Sequence, residues 1–303
     1  MAHTIHKLQL GRWIEIQEPT QDDIDFLREE FSFIHPTNLE DSLERVEHAK
    51  MDITEKYLFL SVTIPTGIEP AKKATNFEVS FFLTKDDIIT VTHQKSSLFA
   101  AERSQEGEIA EIVLPETPGL LMYRFLEKLY EMSDHTILRI NRSIQRIDDT
   151  ILEVKSHSII REIVILQRNI IYFITTLVTS SPHFVELEKR DITFDGNSMK
   201  EYWGDIADKL ASQKDTLEDY NTLLKTLAKA HETFINHRMN NIISVLTVFS
   251  VIFLPLNLLA GIYGMNVINL PLAENQNGFF EIIFFMIIIS LGLFSFFKSR
   301  KWI

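Results

Sequence analysis

The chain has no cysteine, which removes disulfides, thiolate metal sites and cysteine nucleophiles. Glycine and proline are scarce, ten and nine in 303 residues, so long stretches carry no break signal. Basic residues are outnumbered, 30 against 42 acidic, for a net charge of −12. A nucleic-acid surface needs a basic face, so no such partner is expected. An acidic exterior is compatible with cation handling, and solubility explains it equally well. Also missing are a GxxxxGK[ST] phosphate loop, a nucleophile elbow and a zinc-ligand spacing. No enzyme and no resident cofactor is expected. The opening MAHTIHKLQLGRW has no basic-then-apolar signal pattern, so the first domain is expected in the cytosol.

One absence is local. Residues 242–297 hold no Lys or Arg, and only two acidic groups, Glu274 and Glu281. Within them IISVLTVFSVIFLPLNLLAGIY (242–263) is uncharged, and FFEIIFFMIIISLGLFSFF (279–297) carries one Glu near its start. Each run is about as long as a helix needs to cross ~30 Å of hydrocarbon. Lys225, Lys229 and Arg238 precede the first run; Lys298, Arg300 and Lys301 follow the second. Positive flanks stay inside. The expectation is a two-pass hairpin in a lipid bilayer, both termini cytoplasmic, with the loop 264–278 outside.

The first run is not uniformly apolar. At about 100° per residue, Asn240, Ile243, Thr247, Ser250, Leu254, Asn257, Gly261 and Gly264 fall in one stripe. Small residues alone suggest helix packing, and Ser or Thr can bond back to their own helix. Asn257 is different, because an amide in hydrocarbon needs a partner or water. Two helices cannot enclose a water-filled path, so a pore requires an oligomer. The hairpin's apolar pattern breaks at Gly264-Met265-Asn266 and resumes at Phe279.

Ahead of the hairpin the reading is α/β, then helical. RWIEIQEPT alternates as a strand, and Thr20 with Asp23 forms a capping box for the helix QDDIDFLREEF. Further strands are expected at 56–65, 76–84 and 87–94, with a short helix over 39–49 and the last strand stopping near residue 114. Helices follow at about 118–155 and 158–181, then one very long stretch from about 197 to 264. About 65 residues would make a rod near 100 Å long, which must pack on neighbours to be stable. The organisation expected is a cytosolic α/β domain (1–117), a cytosolic helical hairpin (118–196), a stalk helix (197–241) entering the transmembrane hairpin (242–297), and a basic tail (298–303). The fold class is α/β followed by long helices, mainly α overall.

YGMN at 263–266, the short outer loop, the second apolar run and the tail KSRKWI resemble the CorA-type divalent-metal transporters. WIEIQEPTQDDIDFL, LEDSLERVEHAKMDITEKYLFL and VSFFLTKDDIITVTHQ are similar in order and spacing to that family's N-terminal domain, so the likeness covers the whole chain. The resemblance implies a homopentamer in the cell (inner or plasma) membrane whose first spanning helices line an ion path. It implies a filter at Gly264, Met265 and Asn266, with Asn266 holding a hydrated ion, and a pore face of Asn240, Ile243, Leu246, Thr247, Ser250, Leu254 and Asn257. Mg²⁺ is then the transported ion, driven by membrane potential, and a regulatory ion as well. Asp205, with Asp208 beside it, matches the family's stalk carboxylate that senses cytosolic metal. Two departures stand out. Relatives often show Met-Pro-Glu-Leu in the outer loop, where this chain has LPLAEN with Glu274 displaced as the outer-mouth acid. The sensor's usual partner lies in the stretch HQKSSLFAAE (93–102), and no Asp is there. Zinc, cobalt or nickel are alternative ions; a zinc branch typically carries Gly-Ile-Asn, so Met265 favours magnesium. A non-conducting membrane scaffold is the alternative of another class.

Overall fold

A computed structural model of the chain describes residues 3–43, 49–67, 75–94, 117–151, 156–191, 198–266, 271–272, 277–300 and 302. The chain divides into two units, Met1–Ala228 and Lys229–Ile303. In the first unit, β1 (His3–Leu8), β2 (Gly11–Gln17), β3 (Lys50–Ile53), β4 (Tyr57–Gly67), β5 (Thr75–Thr84) and β6 (Asp87–Thr92) form one sheet in the order β1-β2-β6-β5-β4-β3. Only β2 and β6 run parallel; the other neighbours are antiparallel. Helices α1 (Gln21–Glu30) and α2 (Pro36–Leu43) lie between β2 and β3 in the chain.

The strand pattern explains why the sheet is covered on both faces. Successive side chains alternate, so Leu58, Leu60, Val62 and Ile64 of β4 join Phe77, Val79, Phe81 and Leu83 of β5 in one core. Phe59 and Phe82 turn the other way and pack with Ile24, Leu27 and Leu39 of α1 and α2. The first face is covered by Leu121, Phe125 and Leu129 of α3 (Pro118–Thr150) and by Ile170 and Phe173 of α4 (Ser156–Arg190). An α/β domain followed by long helices is the observed class.

Local signals set the helix starts. Asp23 Oδ2 accepts from the Thr20 amide at 3.0 Å and from its hydroxyl at 2.6 Å, ordering the turn that opens α1. Thr117 accepts from the Leu120 amide at the start of α3, with Pro118 in the first turn. α2 begins at Pro36, earlier than the expected 39, because proline suits the first helical turn; residues 44–48 of the expected helix lie outside the described residues. So does the strand expected before residue 114.

Three differences from expectation have physical reasons. β1 is an edge strand with Ile5 half-exposed, and β3 has four half-buried residues, so neither shows the alternation that marks a strand. α4 continues through Pro182 to Arg190 rather than stopping at 181. Burial of Phe184 and Leu187 beyond the proline offsets the lost backbone bond. α5 (Lys200–Tyr263) is one helix of 64 residues. In the first unit it buries Trp203, Ile206, Leu210, Leu217, Leu224 and Leu227 at helical spacing.

The β1–β2 turn is the tightest point of the sheet. Gly11 has φ +120°, and a Cβ there would lie 1.9 Å from the Asp86 carbonyl oxygen. That carbonyl accepts from the Arg12 amide at 2.9 Å. The Arg12 guanidinium forks onto Asp87 at 2.7 and 3.1 Å and reaches Glu30 at 3.1 Å. Its bonds to Asp87 hold it even more firmly charged than usual. Gly11→Ala is therefore expected to lower stability by about 2 kcal/mol or more, read as a lower thermal midpoint of the detergent-solubilised protein. Gly204→Ala, where a Cβ would meet only the flexible Glu188 carboxyl at 3.4 Å, should leave the midpoint unchanged or raise it.

Candidate functional site

Three helices among the described residues are long and apolar enough to span a membrane: Ile159–Arg190, Lys200–Tyr263 and Gly278–Ser299. All three pass on composition, with mean hydropathy 1.4 for the first against 2.4 for each of the others, and burial separates them further. The most apolar window of the first is 44% buried within the chain, against 6% and 0% for the others. The first therefore spends its apolar face on the core of the α/β unit. The other two, the C-terminal half of α5 and all of α6 (Gly278–Ser299), leave theirs exposed, with Leu254, Phe280 and Leu291 each more than 60% accessible. A contact closes the hairpin at its base, where the Ser244 hydroxyl donates to the Trp302 carbonyl at 3.2 Å. The Trp302 and Phe297 rings pack 5.7 Å apart.

All seven residues expected on the pore face lie on α5 within the second unit. Asn240, Ile243, Leu246, Thr247, Ser250, Leu254 and Asn257 are all exposed. Two of them show a detail that spacing does not reveal. Thr247 Oγ1 donates to the Ile243 carbonyl at 2.7 Å, and Ser250 Oγ donates to the Leu246 carbonyl at 2.9 Å. With its hydrogen so used, each hydroxyl has only lone pairs left to offer. At these two positions the stripe therefore presents oxygen acceptors. α5 continues through Pro255, which removes the amide that would bond to the Val251 carbonyl.

The helix ends in a tightened turn. The Gly264 amide bonds to Ala260 at 2.9 Å in the helical manner, and the Met265 amide closes onto Ile262 at 3.2 Å, one residue shorter. Asn266 follows as the first residue beyond the turn, with its side chain exposed. Gly264 is there for close approach: a Cβ would lie 3.0 Å from the Ala260 carbonyl oxygen. At Gly261, inside the helix, a Cβ would meet nothing within 4 Å apart from the helix's own backbone. Glu274, the expected outer-mouth acid, lies outside the described residues.

The second expected site is on the first unit's part of α5. Asp205 and Asp208 are both exposed. The Tyr123 hydroxyl of α3 donates to Asp205 Oδ2 at 2.8 Å, and the Tyr123 ring packs against Tyr202. Burial first, then the bond to Asp205 and the nearby Glu127, pushes the Tyr123 phenol well above its ordinary range. It stays a donor at any physiological pH. No group of three or more metal-ligating side chains occurs among the described residues of the chain. Tyr123 was not foreseeable as the partner of Asp205, because 82 residues separate them. The segment 95–102, which contains no Asp, lies outside the described residues.

A family model described as CorA-like Mg²⁺ transporter protein matches residues 9–299. The chain belongs to that family. A cobalt/magnesium transport protein CorA of Thermotoga maritima is 24% identical over 293 residues, 96% of this chain and 83% of that protein. A cobalt/magnesium transport protein CorA of Methanocaldococcus jannaschii is 20% identical over 292 residues, 96% of this chain and 91% of that protein. The solved structure of the complete CorA magnesium transporter from Methanocaldococcus jannaschii superposes with a TM-score of 0.82 at 19% identity, covering 97% of this chain and 92% of that one. This CorA-family chain is a divalent-cation transporter and a membrane protein, not an enzyme. Its terminal turn gives a direct test. Gly264→Ala should displace the Ala260 carbonyl and the turn that carries Asn266, lowering divalent-cation uptake into proteoliposomes several-fold. Gly261→Ala, which adds the same methyl within the regular helix rather than at its closing turn, should lower uptake less.

Proposed function

We propose that the chain conducts hydrated Mg²⁺ passively into the cytoplasm through a homopentameric pore lined by α5. The observation that carries this reading is the stripe of neutral oxygen acceptors ending in Gly264-Met265-Asn266. Mg²⁺ is small and gives up its waters reluctantly, so a neutral amide carbonyl can hold the hydrated ion through those waters. A carboxylate ring would bind more tightly and slow release, and conduction needs an ion that can leave. Asn266 is the filter on this reading, Asn257 a second polar ring, and Ile243, Leu246 and Leu254 are apolar constrictions that gate by dewetting. Membrane potential supplies the drive, roughly 4.6 kcal/mol for a divalent ion per 100 mV.

The topology proposed with it keeps residues 1–241 and the tail 298–303 in the cytoplasm, with the hairpin 242–297 in the bilayer, as the basic flanks favour. Cobalt is the second ion to be tested, because the related proteins are named as cobalt/magnesium transporters.

Asn266→Ala removes the acceptor but leaves the apolar helix intact. Uptake of Mg²⁺ into proteoliposomes under an inside-negative potential should fall at least about tenfold, a change of about 1.4 kcal/mol, while native mass spectrometry still shows five copies of the 35.2 kDa chain. Asn257→Ala should give a smaller loss. Normal uptake by an assembled Asn266→Ala protein would remove Asn266 from the filter, and a stable monomer or dimer of the unaltered protein would remove the pore.

Cytosolic Mg²⁺ is proposed to close the pore by binding at Asp205 and Asp208, in competition with the Tyr123 hydroxyl. Asp205→Ala should then raise the internal Mg²⁺ concentration needed for half-inhibition of uptake. An unchanged inhibition curve would assign both carboxylates to the solvated face of the helix.

A further inference from the structure

A cleft of about 200 Å³ opens between α3 and α4, within the first unit. Arg139, Arg142 and Arg146 line it from α3. Their spacing of three and four residues puts the three guanidinium groups on one helix face. In a chain of net charge −12 this concentration of positive charge is out of character. Two of the three are engaged: Arg146 Nη2 binds Glu162 Oε1 of α4 at 2.5 Å, and Arg139 also has a partner. Arg142 has no ion pair among the described residues.

A second observation is independent of the charge. Asn169 of α4 also lines the cleft and is only 3% exposed. Its Nδ2 makes no hydrogen bond. Folded interiors rarely leave a buried amide donor unused. An acceptor seated in the cleft would satisfy it, and the neighbouring Arg142 favours one that carries negative charge. Ser143 adds nothing as a donor, because its hydroxyl already bonds to the Arg139 carbonyl at 3.2 Å.

We propose that this cleft binds a phosphoryl group, as inorganic phosphate or as the terminal phosphate of a nucleotide. A planar guanidinium matches two phosphate oxygens in a fork, and the amide N–H of Asn169 supplies the neutral donor at the cleft floor. A monatomic anion cannot satisfy the fork and the amide together. The cleft is remote in sequence from the hairpin and from Asp205, so the assignment stands apart from the ion path.

The test is calorimetric titration of the full-length protein in detergent with potassium phosphate, with ATP in the presence of EDTA, and with potassium chloride. Saturable binding of phosphate or ATP is expected with a dissociation constant of about 1 mM or below, and the stronger of the two identifies the source. Arg142→Ala should weaken it at least tenfold, and so should Asn169→Leu, which keeps the side-chain volume without the donor. Arg142 is exposed, so its removal does not threaten the fold, and Arg161→Ala on an exposed part of α4 should bind as the unaltered protein does. No saturable heat from either phosphate ligand would overturn the proposal. So would chloride binding of equal strength, or an affinity that survives both Arg142→Ala and Asn169→Leu.

Discussion

An amide cannot rest in hydrocarbon without a partner, and Asn257 lies inside a 22-residue run whose neighbours are Val, Ile, Leu and Phe. Everything proposed for the second unit follows from that constraint. The exposed amide of Asn257 and the back-bonded hydroxyls of Thr247 and Ser250 fall toward one side of α5, and water or another polar group must meet them there. The remaining faces, with Val245, Phe249 and Phe253 exposed, have no such need and suit lipid or a neighbouring helix. On the proposed reading a single chain offers two spanning helices, and a homopentamer supplies the water-filled side.

The first unit obeys the opposite rule. Its sheet is covered on both faces, so the central strands β4, β5 and β6 carry buried side chains on each side, and α4 is apolar enough to be mistaken for a span. What separates α4 from α6 is burial: the face carrying Ile170, Phe173, Phe184 and Leu187 is consumed by the core. Hydropathy measures composition, and composition does not say which solvent a helix meets.

Much of this was legible in the sequence. Strands β2, β4, β5 and β6 announced themselves through β-branched and aromatic residues, and the capping box at Thr20 and Asp23 set the start of α1. β1 and β3 stayed hidden because an edge strand with His3, Ile5 and Lys7 and a four-residue strand have no periodic apolar face. Pro182 looked like a stop, and only the burial of residues beyond it, a tertiary effect, carries α4 to Arg190. For the candidate sites, the stripe on α5 was readable because helical periodicity is local. The bond from Tyr123 to Asp205 and the cleft of Arg142 and Asn169 were not, because each joins segments distant in the chain.

The absence of cysteine makes the central claim directly measurable. Single cysteines placed along α5 from residue 240 to 257 would each be the only thiol in the chain, and a water-soluble, membrane-impermeant thiol reagent would report which positions meet water. The account predicts modification, with block of Mg²⁺ uptake, at positions 240, 247, 250 and 257 and protection at 245, 249 and 253. Modification without that periodicity, or confined to the apolar face, would contradict it.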